Sequence, residues 1–230
     1  MADGMQCGSW RTKPTDRFIL KWIKCRICAG ITPRLTPVPW VRPWMITVLS
    51  AGLGVLAGVL FSVGLGFSAG IVGAAGQIMD GVDGQLARLT DRQTRAGAFL
   101  DSVLDRYADG ALVIGMVIYL VRLHLSVPLW IMLFLGALAW IGSSLVSYTS
   151  ARAEALGIDL GPPTLASKGT RTSVIVLCGL GSPLCPSLPM AALLYLVLHP
   201  NAVVVARLIR ATKQAAPGDG PLEPGRPKRP

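Results

Sequence analysis

An all-α fold is predicted by this sequence, arranged as a polytopic membrane protein of six transmembrane helices with an N-terminal interfacial amphipathic helix. Three observations carry the prediction. The 230 residues are 52% apolar with a mean hydropathy of +0.54, above what a soluble chain of one-domain length needs. Between Arg42 and Asp80 lie 37 consecutive uncharged residues, whereas one spanning helix needs about 20, so the interval holds two helices. Of the 22 Lys and Arg residues, 20 fall within 11–42, 88–95, 152–171 and 207–230, which are alternate connections. The positive-inside tendency makes those connections cytoplasmic, which requires an even number of spans and places both termini inside. The formal net charge of +10 therefore points to membrane lipids and not to nucleic acid.

Taken in order, residues 1–14 are polar. Over 16–31 the period becomes helical: Ile19, Ile23, Ile27 and Ile31 share a face with Phe18 and Trp22 beside it, opposite Arg17, Lys21 and Lys24. A basic amphipathic helix of this kind lies in the interface and binds anionic head groups. The stretch 32–43 holds four prolines and reads as an irregular elbow. No compact apolar segment with a small-residue cleavage site occurs in the first forty residues, so no cleaved leader is expected. The spans are expected at 44–62, 68–89, 97–120, 127–148 with an extension through Glu154, 164–180, and 188–209. The second is rich in Gly and Ala at 70 and 73–76, which permits close helix contact. The domain plan is thus 1–43 as a cytoplasmic N-terminal segment, 44–211 as the membrane domain, and 212–230 as a Pro- and Gly-rich disordered tail. Five cysteines form no complete metal-binding pattern, because the Cys25–Cys28 pair has no second pair beside it; free thiols are expected.

Four carboxylates interrupt this apolar chain, in the string D-x-x-D-G-x-x-A-R-x8-G-x-x-x-D-x-x-x-D from Asp80 to Asp105. Residues three or four apart share a helix face, so Asp80 pairs with Asp83 and Asp101 with Asp105. Both pairs fall near the cytoplasmic ends of consecutive helices, which a short turn at 91–95 brings together. A carboxylate near hydrocarbon depth costs roughly 2.5–3.5 kcal/mol on insertion scales. Four of them are tolerable only around a wet cavity or around shared hard cations. A divalent cation transporter would use the same residue type, but it has no need of Gly84 or Arg88 and would spread its carboxylates across the membrane.

The whole string resembles the signature of the CDP-alcohol phosphatidyltransferase family, matching Asp80, Asp83, Gly84, Ala87, Arg88, Gly97, Asp101 and Asp105. The resemblance implies a six-helix membrane enzyme, usually a homodimer. Such an enzyme releases CMP as it moves a substituted phosphate from a CDP-linked lipid or polyol donor to an acceptor alcohol. It further implies that Asp80, Asp83, Asp101 and Asp105 ligate Mg2+ or Mn2+, as two ions, and that Asp105 is the general base. Asp83, Gly84, Ala87, Arg88 and Gly97 then bind the CDP moiety. Two departures stand out. Where many members read T-P-N-x-x-T, this chain has Arg42, Pro43, Trp44, Met45, Ile46 and Thr47, so Trp44 replaces the asparagine. Ser147–Glu154 resembles the S-Y-x-R-A-R-A-E of members that act on glycerol phosphate or inositol phosphate, with Ser150 in place of the first arginine. Arg152, Lys168 and Arg171 are the expected cations for an acceptor phosphate, inositol phosphate being favoured. A di-inositol-phosphate-type synthase with a CDP-polyol donor is the alternative within the family. The expected location is the cytoplasmic (inner) membrane, with the site facing the cytoplasm.

Overall fold

A computed structural model of the chain describes residues 24–162 and 164–214. Within them the regular structure is helical: a π-helical turn at Lys24–Cys28 runs into α1 (Ala29–Leu35), followed by α2 (Pro43–Ser62), α3 (Gly66–Leu89), α4 (Arg95–Arg122), α5 (Leu129–Leu156), α6 (Lys168–Leu180) and α7 (Pro189–Gln214). Most of the proposed interfacial helix, 16–23, and the tail beyond 214 lie outside the described residues.

The elbow expected from Thr32 begins later than the prolines suggested. Helix α1 continues through Pro33 to Leu35, because Thr32 is fully buried with its hydroxyl 2.8 Å from Gln85 Oε1 and 2.8 Å from the Cys28 carbonyl. Packing against α3 outweighs the local penalty of the proline. Among the cysteines, Cys25 is disulfide-bonded, against the expectation of free thiols, whereas Cys178 and Cys185 are free. The last helix also passes the expected boundary at 211 and is described as far as Gln214.

Helix α3 is the axis of the molecule, packed between α2 on one side and α6 on the other, with α1 over its C-terminal half. Its buried small residues Gly66, Ala69, Gly70, Gly73 and Gly76 make that approach possible. A Cβ on Gly70 would lie 2.6 Å from the Leu180 amide nitrogen, and one on Gly73 would lie 3.0 Å from Val176. Helices α2 and α4 cross as closely, where a Cβ on Gly58 would run into the Ala111 carbonyl. Gly58→Ala is therefore expected to lower the thermal midpoint, while Gly52→Ala, with nothing within 4 Å of its Cβ, leaves it unchanged. Paired melting curves of the two variants check this.

The main core joins Phe61, Met116, Leu120, Met132, Leu193 and Leu196, all essentially inaccessible. Outside it the chain exposes broad apolar faces: Val48, Leu49, Leu56 and Val59 on α2, Trp130, Leu133 and Phe134 on α5, and Leu194, Leu198 and Val205 on α7. Faces of that kind are unfavourable in water and favourable against lipid. Among the described residues three helices, α2, α5 and α7, are long and apolar enough to cross a membrane. Helices α3 and α4 carry the carboxylates, and α6 has only 13 residues.

Candidate active site

The carboxylates stand where α3 ends and α4 begins. Thr94 stops the turn between them: it is extended (φ −127, ψ 150), and its hydroxyl accepts the Gly97 amide at 3.0 Å as an N-cap. Asp91 takes the tight left-handed position of the turn (φ 49), which a short polar side chain tolerates. Both helices pack on α2, and three of their four carboxylates converge.

Asp80, Asp101 and Asp105 each turn a carboxylate oxygen inward so that the three lie within 4.8 Å of one another. Lys168, at the start of α6, donates from Nζ to Asp80 Oδ1 at 2.6 Å and to Asp105 Oδ1. Gln77 holds that helix start in place, since its Nε2 donates at 2.8 Å to both the Gly169 carbonyl and Ser173 Oγ. Gln77 lies three residues before Asp80 on the same face, and a lone amide in an uncharged run was its legible signal. Asp83 stands outside the three-carboxylate group. It is 7% exposed, and its Oδ2 is buried without a hydrogen-bond partner among the described residues. An oxygen-only donor set with a buried carboxylate oxygen left unsatisfied suits a hard divalent cation, so these residues fit Mg2+ or Mn2+.

Beside the carboxylates opens a cavity of about 570 Å³. Asp83, Gly84, Ala87, Arg88 and Gly97 all line it, together with Asp101. Gly84 is not demanded by the protein's own packing: a Cβ there would meet only the Arg88 guanidinium, at 3.5 Å. Its small size serves the cavity. The lining also includes Arg42, Trp44 and Thr47 from the entry to α2, and Arg92 and Thr94 from the turn. Sequence reasoning did not assign these to the site, because their proximity to α3 comes from the elbow's course and not from any spacing.

The three cations predicted for an acceptor phosphate are in unlike settings. Lys168 is at the carboxylates, as described. Arg171 is 3% exposed and directed into the bundle, donating to the Ala166 carbonyl at 2.6 Å and to Asp109 Oδ2 at 3.3 Å. Arg152 is exposed on α5 and lines neither the large cavity nor the small one beside Lys168. Arg207, which was not predicted, instead reaches the same stretch of α5, donating to the Val146 carbonyl, Thr149 Oγ1 and Ser150 Oγ at 2.5, 2.8 and 3.0 Å.

Comparison with known proteins agrees with this geometry. The chain is 34% identical over 137 residues to the bifunctional IPC transferase and DIPP synthase of Thermococcus kodakarensis, spanning 60% of this chain and only 30% of that protein's length. It is 29% identical over 205 residues to the phosphatidylinositol phosphate synthase of Mycolicibacterium smegmatis, covering 89% of this chain and 86% of the relative. The crystal structure of Mycobacterium tuberculosis phosphatidylinositol phosphate synthase with CDP-DAG bound has the same fold, with a TM-score of 0.70 at 25% identity over 84% of this chain and 96% of that one. The same protein in complex with manganese and citrate gives a TM-score of 0.69. The model of the CDP-alcohol phosphatidyltransferase family matches residues 40–207, which include the acidic turn, all of the cavity lining but Pro39, and all but the last turns of α7, and the chain belongs to that family.

Proposed function

We propose that the protein transfers a phosphatidyl-type group from a CDP-linked lipid to a polyol phosphate, inositol phosphate being favoured, with release of CMP. One observation carries this reading: the five residues expected to hold the CDP moiety line a single cavity, whose wall includes Asp101 of the three-carboxylate group. The names and bound ligand of the mycobacterial relatives support donor and acceptor alike.

In the proposed reaction Arg88, with the backbone opened by Gly84 and Gly97, receives the cytidine and its phosphates. Asp80, Asp83 and Asp101 would hold Mg2+ or Mn2+, as two ions, with Asp105 contributing to the same set. When bound, such ions neutralise the pyrophosphate and stabilise the charge that develops on the leaving oxygen. Asp105 takes the proton of the acceptor hydroxyl as its oxygen attacks the lipid-bearing phosphorus. A new P–O bond forms to the acceptor, the P–O bond to CMP breaks, and CMP leaves with the electron pair. Lys168 is the best placed of the predicted cations to meet an acceptor phosphate beside Asp105. Arg171 is better read as a buried structural partner of Asp109. Arg152 remains the third.

Purified protein given CDP-diacylglycerol and a panel of inositol phosphate, glycerol phosphate, serine and free inositol tests the whole reading by CMP release. A CDP-polyol donor in the same panel tests the second reading, which the likeness to the Thermococcus protein favours. Arg88→Ala is expected to raise the donor KM, and Lys168→Ala the acceptor KM, by roughly ten-fold or more each, as losing a charge-assisted contact of about 1.5–3 kcal/mol requires, whereas an equal effect of Arg152→Ala would bring that exposed residue into the acceptor site. If serine or free inositol is the better acceptor, the anion site is misassigned.

The domain plan that goes with this function is a six-span membrane domain over 44–211, a cytoplasmic segment at 1–43 and a tail at 212–230. The protein acts as a homodimer in the inner membrane, with its site and both termini cytoplasmic. The distribution of basic residues supports that orientation. In a cysteine-free background, single cysteines at 64 and 124 are expected to label from outside and those at 92 and 168 from inside; outside labelling of 92 would invert the topology.

A further inference from the structure

One wall of the 570 Å³ cavity is made by the elbow and the first turn of α2, the other by α3 and α4. Arg42 is extended (φ −111, ψ 146) and Pro43 opens the helix, an arrangement that sets Trp44 and Thr47 one turn apart on the cavity side. Thr47 is 7% exposed, whereas Trp44 keeps 49% of its surface uncovered. The cavity also has a wall of small residues, Gly84, Ala87, Gly97 and Ala98, and a Cβ on Gly84 would meet only the Arg88 guanidinium, at 3.5 Å. An indole and a set of glycines and alanines border one cavity, which leaves room for a flat ring. Arg42, Arg88 and Arg92 line the same cavity, so a ligand that fills it joins a planar π system to phosphate.

We propose that Trp44 is the stacking platform for the pyrimidine base of the donor, a specificity-determining contact that rests on the donor reading given above. Stacking on an aromatic face is tolerant of base identity, because every base presents a π surface. Trp44 therefore selects for the presence of a base, and discrimination between pyrimidines comes from elsewhere in the cavity. The competing role for an exposed tryptophan in a membrane protein is that of an interfacial anchor. Trp40 supplies the internal control: it is 69% exposed, four residues away, and lines no part of this cavity.

The test is binding, measured by titration calorimetry on the full chain in detergent with Mg2+, using CMP, UMP and inorganic pyrophosphate as probes. Trp44→Ala is expected to weaken CMP and UMP alike by roughly 5- to 150-fold, the range for loss of one base–aromatic stack. Trp44→Phe stays within a few-fold of wild type, Trp40→Ala has no effect, and pyrophosphate, which has no base, binds all four proteins equally. The proposal is overturned if Trp44→Ala binds CMP as wild type does. It is equally overturned if Trp44→Ala and Trp44→Phe lose CMP and pyrophosphate together, which marks Trp44 as a support for the cavity's shape. Wild-type protein that binds pyrophosphate and not CMP would overturn the donor reading itself, and the stack with it.

Discussion

Asp101→Asn is expected to lower CMP release about a thousand-fold, because several kcal/mol of transition-state charge stabilisation depend on the cation it would help to hold and each ~1.4 kcal/mol is a factor of ten. The substitution keeps the side chain's shape and leaves both carboxylates bonded to Lys168 in place. Asp80→Asn differs in an informative way. It removes one of the two carboxylates bonded to Lys168, so it combines loss of a cation ligand with a poorly compensated lysine and should also reduce stability. Mn2+ binding followed by electron paramagnetic resonance, together with a melting curve, separates the two effects. Full activity of the wild type in EDTA would remove the divalent-cation assignment altogether.

The largest effect on stability is expected at Arg171. Its guanidinium is 3% exposed, Asp109 is 13% exposed, and the two meet at 3.3 Å. Arg106 approaches the same Asp109 oxygen at 3.4 Å from one helical turn away. Removing one member of a buried pair leaves an uncompensated charge at a cost of about 3–5 kcal/mol, which in a chain of this size lowers the thermal midpoint by roughly 10 °C. Arg171→Ala should show that drop. Arg171→Leu combined with Asp109→Leu should recover part of it, because the more deeply buried charges are gone and only the less buried Arg106 loses its partner. An Arg171→Ala protein that melts normally and shows only a raised acceptor KM would return Arg171 to the acceptor site.

The contrast between Asp101 and Arg171 shows what the sequence could and could not convey. The acidic string was legible because its members are close in sequence and obey helical spacing, and the helix limits followed from charge-free runs and from turn residues. Helices occupy the intervals expected at 44–62 and 68–89, as Pro43–Ser62 and Gly66–Leu89. The ion pairs of Lys168 and Arg171 join residues 62 to 88 positions apart. No local period encodes such a contact; a basic residue at the mouth of a helix reads equally well as a topology signal. Pro33 was misjudged for a related reason, since the buried Thr32–Gln85 contact that carries the helix past it is tertiary. The cavity was half legible: Gly84, Arg88 and Gly97 announced it from the motif, whereas Arg42, Trp44 and Arg92 entered through the path of the elbow and the turn.

Helix α4 has 28 residues, about 42 Å at 1.5 Å per residue, against a hydrocarbon thickness of about 30 Å. If it spans as proposed, roughly 12 Å of helix stands clear of the acyl chains, and Asp101 and Asp105, six and ten residues into α4, sit close to the boundary between lipid and water. A lipid donor diffuses in two dimensions and a polyol phosphate in three, and they meet only at that boundary. The donor's effective concentration is then a surface density, so saturation should follow its mole fraction in the micelle or vesicle and not its bulk molarity. Diluting mixed micelles with neutral detergent at constant bulk donor should slow turnover, whereas adding more micelles of unchanged composition should not.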